Sequence, residues 1–135
     1  MRLGQSFHAY ATMIERDIRR IECARKELFT LNLGGTAIGT TINASDYYLH
    51  HIVPTLAAVT GYPLMQADDL FDATENLDGF VTISNTLKTC AVNLSKMCND
   101  LRLLSSGPRT GFGEINLPPM QNGSSIMPGK INPVI

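Results

Sequence analysis

Leu77-Asp78-Gly79-Phe80-Val81-Thr82-Ile83-Ser84-Asn85-Thr86-Leu87-Lys88-Thr89-Cys90-Ala91-Val92-Asn93-Leu94-Ser95-Lys96-Met97-Cys98-Asn99-Asp100-Leu101 decides the fold. Leu77, Phe80, Ser84, Leu87, Ala91, Leu94, Cys98 and Leu101 recur at steps of three and four, which puts them on one face of a helix. There is no proline, and Gly79 is the one weak helix former. The pattern predicts a helix from about 69 to 105, roughly 50 Å long at 1.5 Å per residue. Ser106-Gly107-Pro108 is its stop.

The same period reappears at the start of the chain. Phe7, Ala11, Ile14, Ile18, Ile21 and Leu28 form a row from about 3 to 31, with Arg25 interrupting it and charged residues mostly off it. This is a long amphipathic helix with a coiled-coil-like seam. A shorter helix is expected over about 46–60, capped by Ser45 and ended by Gly61 and Pro63, with Pro54 kinking it. No β-strand pattern of useful length is present. The fold class is therefore all-α: long helices of a bundle, followed by an irregular C-terminal stretch.

Burying one large seam side chain is worth about 1.5–3 kcal/mol. Two long helices and a short one cannot cover seams of this length from all sides. An isolated chain leaves apolar stripes exposed, so an oligomer is expected.

Composition narrows the function. The 135 residues carry a formal charge of −1 with no acidic or basic block, which argues against nucleic-acid binding through a general field. No apolar run approaches membrane-spanning length, and the N-terminus does not read as a signal peptide. Cys23, Cys90 and Cys98 are odd in number and lack a metal-type spacing, so reduced thiols in a cytoplasmic protein are expected, with no metal and no cofactor. His8 lies beside the first seam, and the adjacent His50 and His51 point about 100° apart on a helix and do not readily chelate one ion. Gly34 to Thr41 imitates a phosphate loop, but Thr40 stands where the lysine belongs and a helix precedes it. Nucleotide binding is rejected, and the small residues are assigned to close backbone packing.

The chemistry concentrates near the C-terminus, in Gly123-Ser124-Ser125-Ile126-Met127-Pro128-Gly129-Lys130-Ile131-Asn132-Pro133. The glycines and prolines make a flexible loop rather than a helix. Between them lie two hydroxyls, a cation and an amide. A serine beside flexible glycine, with main-chain N–H groups and a lysine near it, suits a small carboxylate substrate. Serine is a weak base unless its alkoxide is stabilised, so oriented amides and a nearby cation must favour that form when water leaves.

This stretch resembles the signature loop of the aspartase/fumarase superfamily, G-S-S-x-M-P-x-K-x-N, with every fixed position filled. The resemblance extends upstream. Leu33 to Asn43 is similar to a stretch joining two helices of the family's central domain, and Ser106 to Pro118 resembles the S-G-P-R-x-G…E-I…L-P run before the signature. In that run Arg109 and Glu114 are open to either an anion-attracting or a backbone-bracing role. Ala67 to Asp78 resembles the A-E-D-L-x-D-A-T-Q-N-x-D run of aspartases rather than the corresponding run of fumarases.

The resemblance implies part of a central helical domain over 1–135, with the signature loop at 123–133. It also implies a lyase reaction: reversible β-elimination of ammonia from L-aspartate to give fumarate through an aci-carboxylate. Ser124 would be the general base, and Ser125, Lys130 and Asn132 would bind substrate. A class II fumarate hydratase of the same superfamily is the alternative, and a non-enzymatic helical oligomerisation module is the rival from another class. Family members are tetramers that build each site from three segments of different subunits. This chain carries the third, so no lyase activity is expected of it alone.

Overall fold

The computed structural model describes residues 2–118, 120–126 and 131–132; for Asn122, Ile131 and Asn132 it describes the backbone only. Four helices dominate: α1 (Leu3–Ala24), α2 (Asp46–Thr60), α3 (Leu70–Glu75) and α4 (Asp78–Leu104). The chain forms two compact units, Met1–Asn93 and Leu94–Ile135, and α4 runs through the boundary. The all-α reading holds.

Two expected helices are shorter than the periodicity suggested. α1 ends at Ala24 and tightens into a 3-10 turn over Arg25–Phe29. The chain then extends into β1 (Thr30–Leu31), which pairs in parallel with β2 (Met65–Gln66). The Gln66 amide also donates to Leu33 O at 2.7 Å. This pairing is non-local, so no window around residue 30 announces it. The segment expected over 69–105 is divided at Asn76-Leu77. Asp69 caps α3 by accepting from the N–H groups of Phe71 and Asp72. Asn76 leaves the helix with extended backbone, and its amide donates to the Asp72 carboxylate at 2.7 Å. The helix over 46–60 matches its expected bounds, with Ser45 Oγ accepting from Tyr48 N–H and Gly61 closing it in the left-handed region.

The glycine-rich stretch packs as a close backbone contact. Gly39, at φ +88°, brings its Cα against α3, where an added Cβ would lie 2.4 Å from Phe71 Cα and 2.5 Å from Leu70 O. Thr36, Thr41 and Asn43 also have positive φ.

In the first unit, α1 and α4 run antiparallel. Asp17 of α1 reaches Asn93 of α4, while Glu27 just beyond α1 lies against Gly79 near the start of α4. The faces turned inward coincide only in part with the predicted rows. On α1 the covered positions are Ser6, Tyr10, Met13, Ile14, Asp17, Ile21 and Ala24, of which Ile14 and Ile21 belong to the predicted row; on α4 they are Gly79, Ile83, Thr86, Cys90 and Asn93. Most of the covered positions lie one residue away from the predicted rows. The predicted rows largely face outward: Phe7, Ile18, Phe80, Leu87 and Leu94 are all exposed, Phe80 to 65%. Among the described residues, Ala24 and Val53 are the buried apolar side chains and Asp17 the buried charged one, with Gly34, Gly35 and Gly39 buried in the glycine-rich stretch. Most of the apolar surface of the two long helices is therefore not used to hold this chain together.

Candidate active site

The second unit holds the sequence-predicted site. After α4 the chain turns back, and β3 (Gln121–Asn122) pairs antiparallel with β4 (Ile131–Asn132), Gln121 opposite Asn132 and Asn122 opposite Ile131. This two-residue ladder fixes both ends of the signature stretch to one another, so Ser124 and Asn132 belong to one hairpin. The stretch expected to be irregular thus carries a short ladder, pairing Gln121 and Asn122 just before the motif with Ile131 and Asn132 inside it.

Ser124 is half-buried, and its Oγ accepts the Ile126 N–H at 3.1 Å. A donor aimed at a hydroxyl oxygen favours its anionic form, and the same bond holds the side chain in one direction. Ser125 and Ile126 are exposed, Ile126 to 88%. The two serines are thus inequivalent: one hydroxyl is oriented by the main chain, while the other faces solvent. Lys130 lies outside the described residues. Of Asn132, the backbone is placed by β4. Arg109 is exposed, and Glu114 contributes through its backbone, donating N–H to Leu104 O at 2.9 Å.

The first unit also contains a polar cluster, apart from the residues the sequence singles out. The Asp17 carboxylate is 3% exposed, and its oxygens accept from Asn93 Nδ2 at 2.7 Å and Arg20 at 3.0 Å. The Asn93 hydrogen bond holds its pKa below the ordinary 3.8; burial opposes that shift, and the Arg20 guanidinium adds to it. The available signal was Asp17 between Ile14 and Ile21, and Asn93 between Cys90 and Met97, each a polar residue in an apolar register. An open groove of about 840 Å³ beside it is lined by Arg16, Arg19, Cys23, Asn85 and neighbouring threonines.

His51 is engaged locally, its Nδ1 2.7 Å from Tyr47 O and its ring stacked on Tyr47 at 4.1 Å. Among the described residues no group of three or more His, Cys, Asp or Glu side chains is arranged to hold a metal, and no helix is long and apolar enough to cross a membrane.

An oriented serine within a complete G-S-S-x-M-P-x-K-x-N stretch, at the end of an all-α chain, invites comparison with known lyases. The model of the family described as "Lyase" matches residues 1–135. The chain belongs to this lyase family. Among curated relatives, the lyase segment is 60% identical to aspartate ammonia-lyase of Pseudomonas aeruginosa over 136 residues, all of this chain and 29% of that protein. It is 53% identical to aspartate ammonia-lyase of Bacillus subtilis over 135 residues, all of this chain and 28% of that protein. Among solved structures, it superposes with a TM-score of 0.87 on fumarate lyase:delta crystallin of Brucella melitensis, crystallised bound to cobalt, at 50% identity. That match covers 97% of this chain and 28% of the other. The lyase chain thus spans a little over a quarter of the length of the relatives it matches.

Proposed function

We propose that this chain is the signature-loop segment of an aspartate ammonia-lyase, with Ser124 as the general base. The observation that carries the reading is the half-buried Ser124 hydroxyl, oriented by the Ile126 N–H at 3.1 Å. The curated relatives, named aspartate ammonia-lyase at 53–60% identity, support the choice of substrate.

L-Aspartate loses a proton from the carbon beside its side-chain carboxylate. That proton is poorly acidic, because the electrons it leaves behind enter a group already negative. Ser124 Oγ accepts the proton, and the electron pair spreads into the carboxylate as a doubly charged aci-carboxylate. Collapse of that pair forms the C=C bond of fumarate and expels ammonia. Preorganised donors act most strongly where charge develops in this way. Lys130, Asn132 and Ser125 are assigned to binding the substrate.

The assembly belongs to the same reading. Exposed rows on α1 and α4, Phe7 and Ile18 on one and Phe80, Leu87 and Leu94 on the other, suit a homotetramer built on these helices. A cytoplasmic setting fits a soluble amino-acid substrate and three free cysteines.

The test uses an enzyme of the relatives' full length carrying this segment. Ser124→Ala should lower fumarate formation from L-aspartate by at least about 100-fold, with the oligomer unchanged. Activity equal to the parent refutes the base assignment. Hydration of fumarate to malate, with no release of ammonia from aspartate, moves the reading to the hydratase.

A further inference from the structure

We propose that Ser106 is a positioning residue for the elimination, setting the base from which the Ser124 hairpin projects. The last four carbonyls of a helix lack partners within it, and at the end of α4 all four are taken. Leu101 O accepts Ser105 N–H at 3.0 Å, and Arg102 O accepts the Ser105 hydroxyl at 3.2 Å. Leu103 O accepts both the Ser106 N–H at 3.1 Å and the Ser106 hydroxyl at 2.5 Å. Leu104 O accepts Glu114 N–H at 2.9 Å.

Ser106 bonds in both directions. While its hydroxyl donates to the helix end, the same oxygen accepts Phe112 N–H at 3.2 Å, and its carbonyl accepts Gly113 N–H at 2.8 Å. The returning segment is pressed close. A Cβ on Gly111 would sit 2.2 Å from Ser106 C and 2.3 Å from Ser106 O, so only glycine passes there. One half-buried side chain therefore ties a rigid helix end to the strap that leads to the site. From Ile115 only five residues, including two consecutive prolines, separate the strap from Gln121 in β3. Proline restricts the backbone of such a spacer. On this proposal, a shift at the strap is carried through this short spacer into the hairpin.

The kinetic half of this inference rests on the lyase reading above; the structural half does not. Misplacing a catalytic group by about 1 Å costs about 100-fold. In the full-length enzyme carrying this segment, Ser106→Ala should lower kcat for L-aspartate about 10- to 100-fold while KM stays near the parent's. Ser106→Thr, which keeps the hydroxyl, should restore most of kcat. Hydrogen exchange should quicken over 120–126 in the alanine variant and not in the threonine variant. If Ser106→Ala fails to fold, Phe112→Pro removes the N–H from the other side of the same bond and should show the same kcat loss and exchange.

Unchanged kcat with a lowered melting temperature would make Ser106 a merely structural residue and overturn the proposal. So would a threonine variant as slow as alanine, or faster exchange at 112–113 with none at 120–126. A parent enzyme without lyase activity defeats the proposed function, and the exchange measurement still decides the clamp.

Discussion

Replacing Gly39 by alanine should be the most damaging single-methyl change in the first unit, and Gly61→Ala supplies its control. Both glycines sit in the left-handed region, at φ +88° and +72°. An L-residue there costs about 1–2 kcal/mol, offset by about 0.4–1 kcal/mol because alanine restricts the unfolded chain. At Gly61 nothing lies within 4 Å of the added Cβ, so the net loss should be about 0.5–1 kcal/mol. At Gly39 the new carbon meets Phe71 Cα at 2.4 Å, Leu70 O at 2.5 Å and Phe71 N at 2.6 Å. Those are backbone atoms at the start of α3, which no rotamer change moves aside. Overpacking of this kind adds about 1–3 kcal/mol, bringing the total to about 2–4 kcal/mol. Urea unfolding followed by far-UV circular dichroism reads the difference. With a slope of about 2 kcal/mol per molar urea, the midpoints of the two variants should separate by about 1 M. Equal midpoints would refute the claim that residues 33–43 are built around this contact.

Asp17 should give the first unit part of its acid sensitivity. Its folded pKa lies below the ordinary 3.8, so its contribution is complete above that value and is lost as pH falls through the lower folded value. Asp17→Asn should flatten the urea midpoint against pH below about 4; an unchanged acid slope would remove Asp17 from the account. Thr41, a β-branched residue at φ +58°, is held where such residues are strained. Thr41→Gly should therefore raise stability by about 0.5–1 kcal/mol, the relief of about 1–2 kcal/mol less the entropy of glycine. A lowered urea midpoint would show that the threonine side chain repays its strain.

The motif at 123–133 was legible because its chemistry is written in consecutive residues. The orientation of Ser124 by Ile126 N–H was implicit in the same way, since a serine hydroxyl commonly meets the N–H two residues on. The Ser106 clamp was not legible in that sense. Ser106-Gly107-Pro108 announces a helix stop, but the partners of the stop are Phe112, Gly113 and Glu114, and their acceptors, the Ser106 hydroxyl and the carbonyls of Ser106 and Leu104, follow from a path that composition does not encode. The pairing of Thr30–Leu31 with Met65–Gln66 is hidden for the same reason, being set by two elements 35 residues apart in register.

The helical seams make a different point, because their period was legible and their phase was not. Hydrophobic spacing identifies the face that avoids water, without saying whose side chains cover it. Within this chain α1 and α4 are joined by the Asp17–Asn93 hydrogen bond, and the half-covered positions on the two helices, Ile21, Ile83 and Thr86 among them, are a mixed apolar and polar set. The more apolar rows, a residue away, are turned outward, Phe80 and Leu87 with more than half their surface exposed. An intrachain face that is partly polar and an outward face that is strongly apolar are the reverse of what a self-sufficient two-helix unit would select. The ordering makes sense if the larger apolar burial occurs against helices other than these two. The one-residue displacement thus supports the proposed assembly: hydrophobic spacing marks the faces that avoid water, and within this chain those faces stay exposed.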